Sequence, residues 1–382
     1  MKVLYVQDSL GTGGAERSNA ELWYYLRKQD VEINIVVLEH RKEGIENEIL
    51  EAGFDVTFLS KGSFFSEVNQ LKKLIKAYQP DLVHSSLLKS NLRVRFAKLW
   101  VKFIHVESLV NCTYASIRYN DPRVDSKVLK LYEKTDKVTQ KFGVDHFIAI
   151  TKEVQKHYQE HFNISNNRIS VIYRGRKPNL AISKLDTFHT ELKKELSLPK
   201  DSPIFINVGR QEFQKAHIDI LKAIKIADQE LSAANAQFLF CGRRGNASPE
   251  IDNFMENNNL KTKIQFLGHR NDIYKLLAIS DVFVFPSLYE GLGGALIEAQ
   301  AARLPIICSD IPVFHEVVEP SKNALLFEVQ NAKKLSLQLI KLANNAALRE
   351  EMGAESLKNF QVKFQLESVN QQMLDKYKKL LN

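Results

Sequence analysis

The chain has 382 residues, 44% of them hydrophobic, with 53 Lys and Arg against 45 Asp and Glu. That length predicts two α/β domains with ordinary cores, and the composition excludes a disordered or fibrous chain. No apolar run approaches the roughly 20 residues that span a bilayer, and three scattered cysteines (Cys112, Cys241, Cys308) fit a reducing cytoplasm rather than a disulfide framework or a Cys-rich zinc site.

In chain order, Met1–Val6 is expected to be a first strand rather than a secretory leader. Short apolar runs follow at Glu32–Leu38, Asp55–Leu59, Asp81–His84, Phe103–Val106 and His146–Ile150. Helical patterns lie between them, as at Ala15–Lys28, Glu46–Ala52 and Ser66–Ala77. Such alternation predicts a doubly wound parallel sheet. A basic, Pro-containing stretch at Arg174–Pro178 interrupts it, so a domain boundary is placed near residue 180. A second alternation runs through Ile204–Val208, Gln237–Cys241, Lys263–Leu267, Val282–Phe285 and Ile306–Cys308. The expected domains are residues 1–180 and 181–365, with a basic amphipathic helix near 366–382 packing back on the first. The first 180 residues carry 28 Lys and Arg against 21 Asp and Glu, so the basic excess belongs to that half. It fits a solvated basic surface, and also an anionic membrane, a phosphorylated acceptor or nucleic acid.

The first strand leads into Gly11-Thr-Gly-Gly-Ala-Glu16. Glycines ahead of a helix N-terminus let backbone amides approach an anion. Glu16 stands where a dinucleotide fingerprint needs its third glycine, and the Gly-Lys-Ser/Thr of a P-loop is missing. The turn is therefore either a phosphate seat or a plain tight turn. At the second domain's first strand, Val208-Gly209-Arg210 is followed by Lys215. Two cations beyond a strand's carboxyl end suit phosphate oxygens, although exposed Arg and Lys are common anywhere. Downstream, Glu290-Gly-Leu-Gly-Gly-Ala-Leu-Ile-Glu298 joins a buried strand to a helix read as buried nearly all round. Carboxylates there need hydrogen-bond partners, and sugar hydroxyls qualify. His105 and His84 lie on strands, either structural or facing a site, and Glu316 lines the site or starts a helix. Ser90–Trp100 interleaves cations with apolar residues, as a core helix does or a face resting on a membrane leaflet. No Asp-x-Asp metal pair, His-Glu-x-x-His or Gly-x-Ser-x-Gly occurs.

Together these stretches resemble the retaining glycosyltransferases of family 4 (glycosyl transferases group 1). The resemblance is carried by Gly13–Glu16, Val208–Lys215, Phe266-Leu-Gly268 with Asp272, Asp281–Ser287, Glu290–Glu298, Pro305 and Glu316. It implies the GT-B fold, two Rossmann-like domains facing a cleft, with acceptor on the first and donor on the second. It further implies that Arg210 and Lys215 grip the diphosphate of a UDP- or GDP-sugar, with Gly13 and Gly14 touching it too. Glu290 would hold hydroxyls of the transferred sugar and Glu298 the ribose. Backbone amides at Leu292, Gly293 and Gly294 would add contacts, and His105 would be the active-site histidine. No metal or other cofactor is expected. The acceptor would be a glycan or lipid-linked sugar of bacterial cell-surface polysaccharide or lipopolysaccharide synthesis. The enzyme would be cytoplasmic, against an anionic membrane at the inner face, and would not bind nucleic acid. Three positions depart from the family pattern: Ala216 and Arg303 replace glycines, and Tyr173-Arg-Gly-Arg176 replaces Asn-Gly-Val. Within the fold the alternative is a nucleotide-sugar epimerase. Outside it, the alternatives are a nicotinamide oxidoreductase and a non-enzymatic polyanion-binding module.

Overall fold

In the computed structural model, which describes residues 1–183 and 187–382, the alternating runs form two parallel sheets. The chain divides into two compact units. The first comprises Met1–Tyr119, Val124–Gly175 and Leu366–Asn382, and the second Asn120–Arg123 and Arg176–Gln365.

The first unit runs β1 (Lys2–Ser9), α1 (Gly14–Lys28), β2 (Glu32–Glu39), α2 (Glu46–Glu51), β3 (Asp55–Phe58), α3 (Phe64–Tyr78), β4 (Leu82–Ser86), α4 (Leu88–Ala97), β5 (Ile104–Leu109), α5 (Ser126–Gly143), β6 (His146–Ala149), α6 (Lys152–Phe162) and β7 (Ile169–Val171). Its sheet order is β3-β2-β1-β4-β5-β6-β7, parallel throughout. Strands covered on both faces become unbroken apolar runs, and Val3 to Val6 are all fully buried. The order reverses between β1 and β4, a topological switch point at whose carboxyl edge open α/β sheets bind ligands. There Asp8, just before the end of β1, accepts hydrogen bonds from Ser90 N (2.8 Å) and Ser90 Oγ (2.7 Å) at the start of α4.

The second unit runs α7 (Thr187–Glu195), β8 (Ile204–Val208), α8 (His217–Ile226), α9 (Asp228–Ala233), β9 (Gln237–Cys241), α10 (Ser248–Glu256), β10 (Lys263–Gly268), α11 (Ile273–Ala278), β11 (Val282–Phe285), α12 (Gly294–Ala301), β12 (Ile306–Ser309), α13 (Phe314–Val317), β13 (Ala324–Phe327), α14 (Ala332–Ala343) and α15 (Ala346–Lys363). Its parallel sheet is ordered β10-β9-β8-β11-β12-β13, so the switch point lies between β8 and β11. Those are the strands that precede the Arg210–Lys215 and Glu290–Glu298 segments.

α16 (Leu366–Leu381) belongs to the first unit. Val369, Met373, Leu374 and Tyr377 join Leu22, Trp23 and Leu26 of α1 in one core cluster. Burying an apolar side chain of this size contributes about 1.5–3 kcal/mol. Tyr25 Oη donates to Gln371 Oε1 (2.5 Å) and Asn370 Nδ2 to the Glu21 carbonyl (3.3 Å), which fixes the rotation of α16 against α1.

Ser90–Trp100 is mainly α4, a core helix: Ser90, Asn91, Leu92, Val94, Arg95 and Ala97 are buried. Arg95 is almost fully buried and stays charged because carboxylates surround it. It donates to Glu107 through Nε (2.8 Å) and Nη2 (2.5 Å), and through Nη1 to Asp136 (2.7 Å) and Thr139 (2.9 Å). Removing one member of such a buried network strands the others and costs about 3–5 kcal/mol.

Candidate active site

The second unit's site is built from two loops at the β8/β11 switch point. β8 ends at Val208, and the chain turns through Gly209 and Arg210 to a short 3-10 turn, Phe213–Lys215. A Cβ on Gly242 would run into the Gly209 carbonyl, so the two turns approach backbone to backbone only because residue 242 is glycine. Gln211 N donates to Arg243 O (2.9 Å) and Ala247 N to Gln211 O (3.0 Å). His217, on the first turn of α8, hydrogen-bonds the Gly209 carbonyl through Nε2 (3.2 Å). Burial lowers its pKa to about 4, so the ring is neutral and donates there as the Nε2–H tautomer.

β11 ends at Phe285, and the following loop reaches α12 through Gly293, whose φ of +80° and contact with the Phe314 ring suit only glycine. The two loops are tied directly. Leu288 N donates to Gln214 O (2.9 Å), and Gln214 Nε2 donates to Tyr289 O (2.8 Å). This brings Lys215 and Glu290 into an ion pair, Nζ to Oε1, with both side chains largely buried. The Lys215 ammonium also lies 4.8 Å from the centroid of the Phe285 ring, and its stem runs along Gly209.

Arg210 stays outward, 59% exposed, and reaches Glu212 Oε1 at 3.4 Å. Glu212 also meets Arg123 Nη1 at 2.9 Å. The same short segment supplies Asp121, which accepts from Arg123 N (3.0 Å), Nε (3.2 Å) and Nη2 (2.9 Å) and from Tyr289 Oη (2.6 Å). Hydrogen bonds from Arg123 and Tyr289 outweigh the upward push of desolvation and hold the Asp121 carboxyl well below the usual carboxylate range. Tyr289 adjoins Glu290, so Asp121 helps fix that loop. The Asp121–Tyr289 contact joins residues 168 positions apart, and no local pattern in the sequence announces it.

Glu298 differs from its expected setting. It lies on the half-buried stripe of α12 with Gly294 and Ala295, its side chain 38% exposed, and accepts from Arg176 Nε at 2.7 Å. The Arg176 guanidinium also lies against Gly294, where any Cβ would collide with Nη2. Arg176, one of the cations that depart from the family pattern, thus stands at the amino end of α12. The amides of Leu292, Gly293 and Gly294 enter no backbone hydrogen bond among the described residues. Glu316 lies on α13, near the Phe314 that packs against Gly293. Ala216 (φ +46°) and Arg303 (φ +61°), the other two departures, both adopt the left-handed conformation that favours glycine.

In the first unit, Gly13 and Gly14 lie at the amino end of α1, but the chain's own Glu16 closes that seat. Its carboxylate folds back over Gly13 and lies 3.4 Å from Ser9 Oγ. Desolvation, with Asp8 nearby, raises the Glu16 pKa. Gly14 remains open, with nothing near where a Cβ would stand.

His105 does not join a site. It pairs with Val83, which pairs with Leu4, so it stands near the amino ends of the strands, roughly 13 Å from the carboxyl end of β5 at about 3.3 Å per residue. The ring is fully buried. Nε2 meets Ser85 Oγ (2.7 Å) and Nδ1 meets the Gly143 carbonyl. Burial drives its pKa down to about 3. Both ring nitrogens are thus engaged within the fold. His84 is buried likewise, between Tyr377 Oη and Ser108 Oγ (2.8 Å).

Residues 188–359 match the family described as glycosyl transferases group 1, and residues 12–180 match Glycosyltransferase Family 4. An Escherichia coli UDP-Gal:alpha-D-GlcNAc-diphosphoundecaprenol alpha-1,3-galactosyltransferase is 26% identical over 91% of this chain and 89% of its own length. The capsular polysaccharide biosynthesis glycosyltransferase CapM of Staphylococcus aureus is 24% identical over 94% of this chain and 92% of its own. Among solved structures, Anabaena Alr3699/HepE in complex with UDP-glucose superposes with a TM-score of 0.85 at 16% identity, covering 99% of this chain and 100% of that one. The two matched regions together account for most of the chain, both parallel-sheet units included: it belongs to the family 4, group 1 glycosyltransferases and has the GT-B fold.

Proposed function

We propose that this glycosyltransferase moves a sugar from a UDP-sugar to a lipid-linked or polysaccharide acceptor in bacterial surface-glycan synthesis, with retention at the anomeric carbon and without a metal. The Escherichia coli relative is named for a UDP-sugar donor and a diphosphoundecaprenol-linked acceptor, and the Anabaena neighbour holds UDP-glucose. The observation that carries the reading is the Lys215–Glu290 pair at the second unit's switch point. It sets a cation and a carboxylate side by side where a donor would present phosphate and hydroxyls.

In this reading Arg210 and Lys215 hold the diphosphate, and Glu290, released from Lys215, accepts from hydroxyls of the transferred sugar. The bond from the anomeric carbon to the phosphate oxygen breaks with its electron pair going to the phosphate. Charge grows on that oxygen, and the two cations stabilise it. The acceptor oxygen bonds to the anomeric carbon on the same face, and its proton passes to the departing phosphate oxygen. Ion pairing already engages Glu290 and Glu298, and both are assigned to hydroxyl recognition rather than proton abstraction.

The test is a thermal-shift panel of UDP, GDP, ADP and their sugar conjugates with and without EDTA, followed by NMR of the product anomer. Stabilisation by a UDP-sugar that EDTA leaves unchanged, and an α-product from an α-donor, are expected. A shift that needs divalent metal would refute metal independence, and an inverted product would refute retention. No shift with any nucleotide sugar would count against the donor site itself.

A further inference from the structure

We infer that Arg123 is a positioning residue for the donor cation Arg210: it neutralises Glu212 and so leaves the Arg210 guanidinium free to pass to a diphosphate. The premise is the donor role proposed above for Arg210. Asn120–Arg123 packs as part of the second unit, although Tyr119 and Val124 on either side belong to the first. None of the stretches that carry the family resemblance includes it.

The guanidinium of Arg123 is aimed by Asp121. Nε donates to Asp121 Oδ1 (3.2 Å) and Nη2 to Oδ2 (2.9 Å), a two-pronged contact that fixes the plane of the group. The remaining nitrogen, Nη1, is thereby turned toward Glu212 and stands 2.9 Å from Oε2. That approach makes no hydrogen bond, so charge alone holds the pair. Arg210 takes the other oxygen, Oε1, at 3.4 Å. Charges therefore alternate in a row from Asp121 through Arg123 and Glu212 to Arg210. Exposure rises toward the free end: the Glu212 side chain is 12% exposed and that of Arg210 59%.

A phosphate can take Arg210 only by drawing it from Glu212. A carboxylate so nearly buried is costly when left alone. Among the described residues, Arg123 and Arg210 are the cations paired with it. With Arg123 in place, Glu212 keeps the nearer of its two partners after Arg210 departs. Without Arg123, Arg210 either stays on Glu212 or leaves a stranded charge behind. The segment itself does not depend on the Arg123 side chain for its anchorage, because Asp121 also accepts from the residue 123 amide (3.0 Å) and from Tyr289 Oη (2.6 Å).

The test is calorimetric titration of UDP into the full chain: wild type, Arg123→Gln, Glu212→Gln, Arg210→Gln, and Arg123→Gln combined with each of the other two. Arg123→Gln should weaken UDP by about tenfold, the lower end for losing a hydrogen bond between charged groups. Glu212→Gln should bind UDP at least as tightly as wild type. Arg123→Gln with Glu212→Gln should return to within about twofold of wild type, the usual scatter of such cycles. In the Arg210→Gln background, Arg123→Gln should cause no further loss, because the cation that it frees is gone. A purely structural arginine, or one that touches UDP itself, would weaken binding whether or not Glu212 and Arg210 were present, and that result would overturn the inference. So would wild-type affinity in Arg123→Gln while Arg210→Gln binds weakly, which leaves the proposed donor site standing. Unchanged affinity in Arg210→Gln would remove Arg210 from the donor site, and the positioning role of Arg123 with it.

Discussion

Replacing Lys215 by Met separates the observed job of its ammonium from the proposed one. Structurally, Lys215 neutralises Glu290, whose side chain is only 10% exposed, and contacts the Phe285 ring face. Breaking a fully buried ion pair costs about 3–5 kcal/mol. Lys215 retains some solvent, which reduces the expected loss for Lys215→Met to about 1–3 kcal/mol. Under the proposed function the variant lacks a preorganised cation at the departing phosphate, and turnover should fall by about 10²–10³. Adding Glu290→Gln distinguishes the two effects. The double variant has no stranded charge, so urea denaturation should show most of the stability restored, with a coupling energy of about 0.5–3 kcal/mol. Its turnover, measured by transfer from a labelled UDP-sugar, should stay at or below that of Lys215→Met. Turnover in Lys215→Met within about threefold of wild type, far from the loss of one oxyanion donor, would refute the cation's role. Recovery of turnover in the double variant would show that Glu290 damages the site only when unpaired and has no part in recognition.

Ala216→Gly and Arg303→Gly should each stabilise the second unit. Occupying the left-handed region costs a non-glycine residue about 1–2 kcal/mol, and glycine's extra unfolded-state freedom cancels about 0.4–1 of the gain from removing that cost. Differential scanning calorimetry should show melting rise by about 2–4 °C per kcal/mol gained, and an unchanged or lower value would contradict the backbone argument. Acid should destabilise both units, because buried His84, His105, His146, His157 and His217 all have pKa values lowered chiefly by desolvation. Depressed folded pKa values mean stability that is complete above the unfolded value of about 6.5 and is lost as pH falls toward 4, with a slope approaching about 1.4 kcal/mol per pH unit for each histidine. Melts from pH 7.5 to 5 that show no decline would refute it. Glu16→Gln should strengthen UDP-sugar binding by on the order of tenfold if Gly13 and Gly14 contact the diphosphate, since a carboxylate over that seat repels it. Unchanged affinity by calorimetry would remove those glycines from the donor site.

What the sequence showed well were features with a local physical cause. Ile204–Val208, Gln237–Cys241 and Val282–Phe285 match the strands residue for residue, because each is a strand buried on both faces and so an unbroken apolar run. β7 and β13, three and four residues long at sheet edges, escaped notice. The Arg210–Lys215 and Glu290–Glu298 segments were legible because a strand, glycines and charge coincide in each. His105 could not be placed from sequence because a histidine on a strand gives no sign of which end of the sheet it occupies. Register decides that, and register depends on neighbours far away in sequence. Asp121 and Arg123 were invisible for the same reason.

Charge placement gives the proposed donor site its logic. From sequence, Arg210 and Lys215 form one set and Glu290 and Glu298 another, as though cations met phosphate and carboxylates met hydroxyls independently. The structure interleaves them as ion pairs: Arg210 with Glu212, Lys215 with Glu290, Arg176 with Glu298. Unpaired, three cations on loops at one sheet edge would repel each other, and a largely buried carboxylate such as Glu290 would carry a desolvation cost with nothing to offset it. Pairing removes both penalties while the site is empty. Under the proposed function it also makes donor binding an exchange in which a diphosphate takes the cations and the sugar's hydroxyls take the carboxylates. Neither half of the ligand suffices alone: phosphate without hydroxyls would leave Glu290 stranded, and a sugar without phosphate would have to compete with Lys215 for it. An arrangement of this kind favours the intact nucleotide sugar over its fragments.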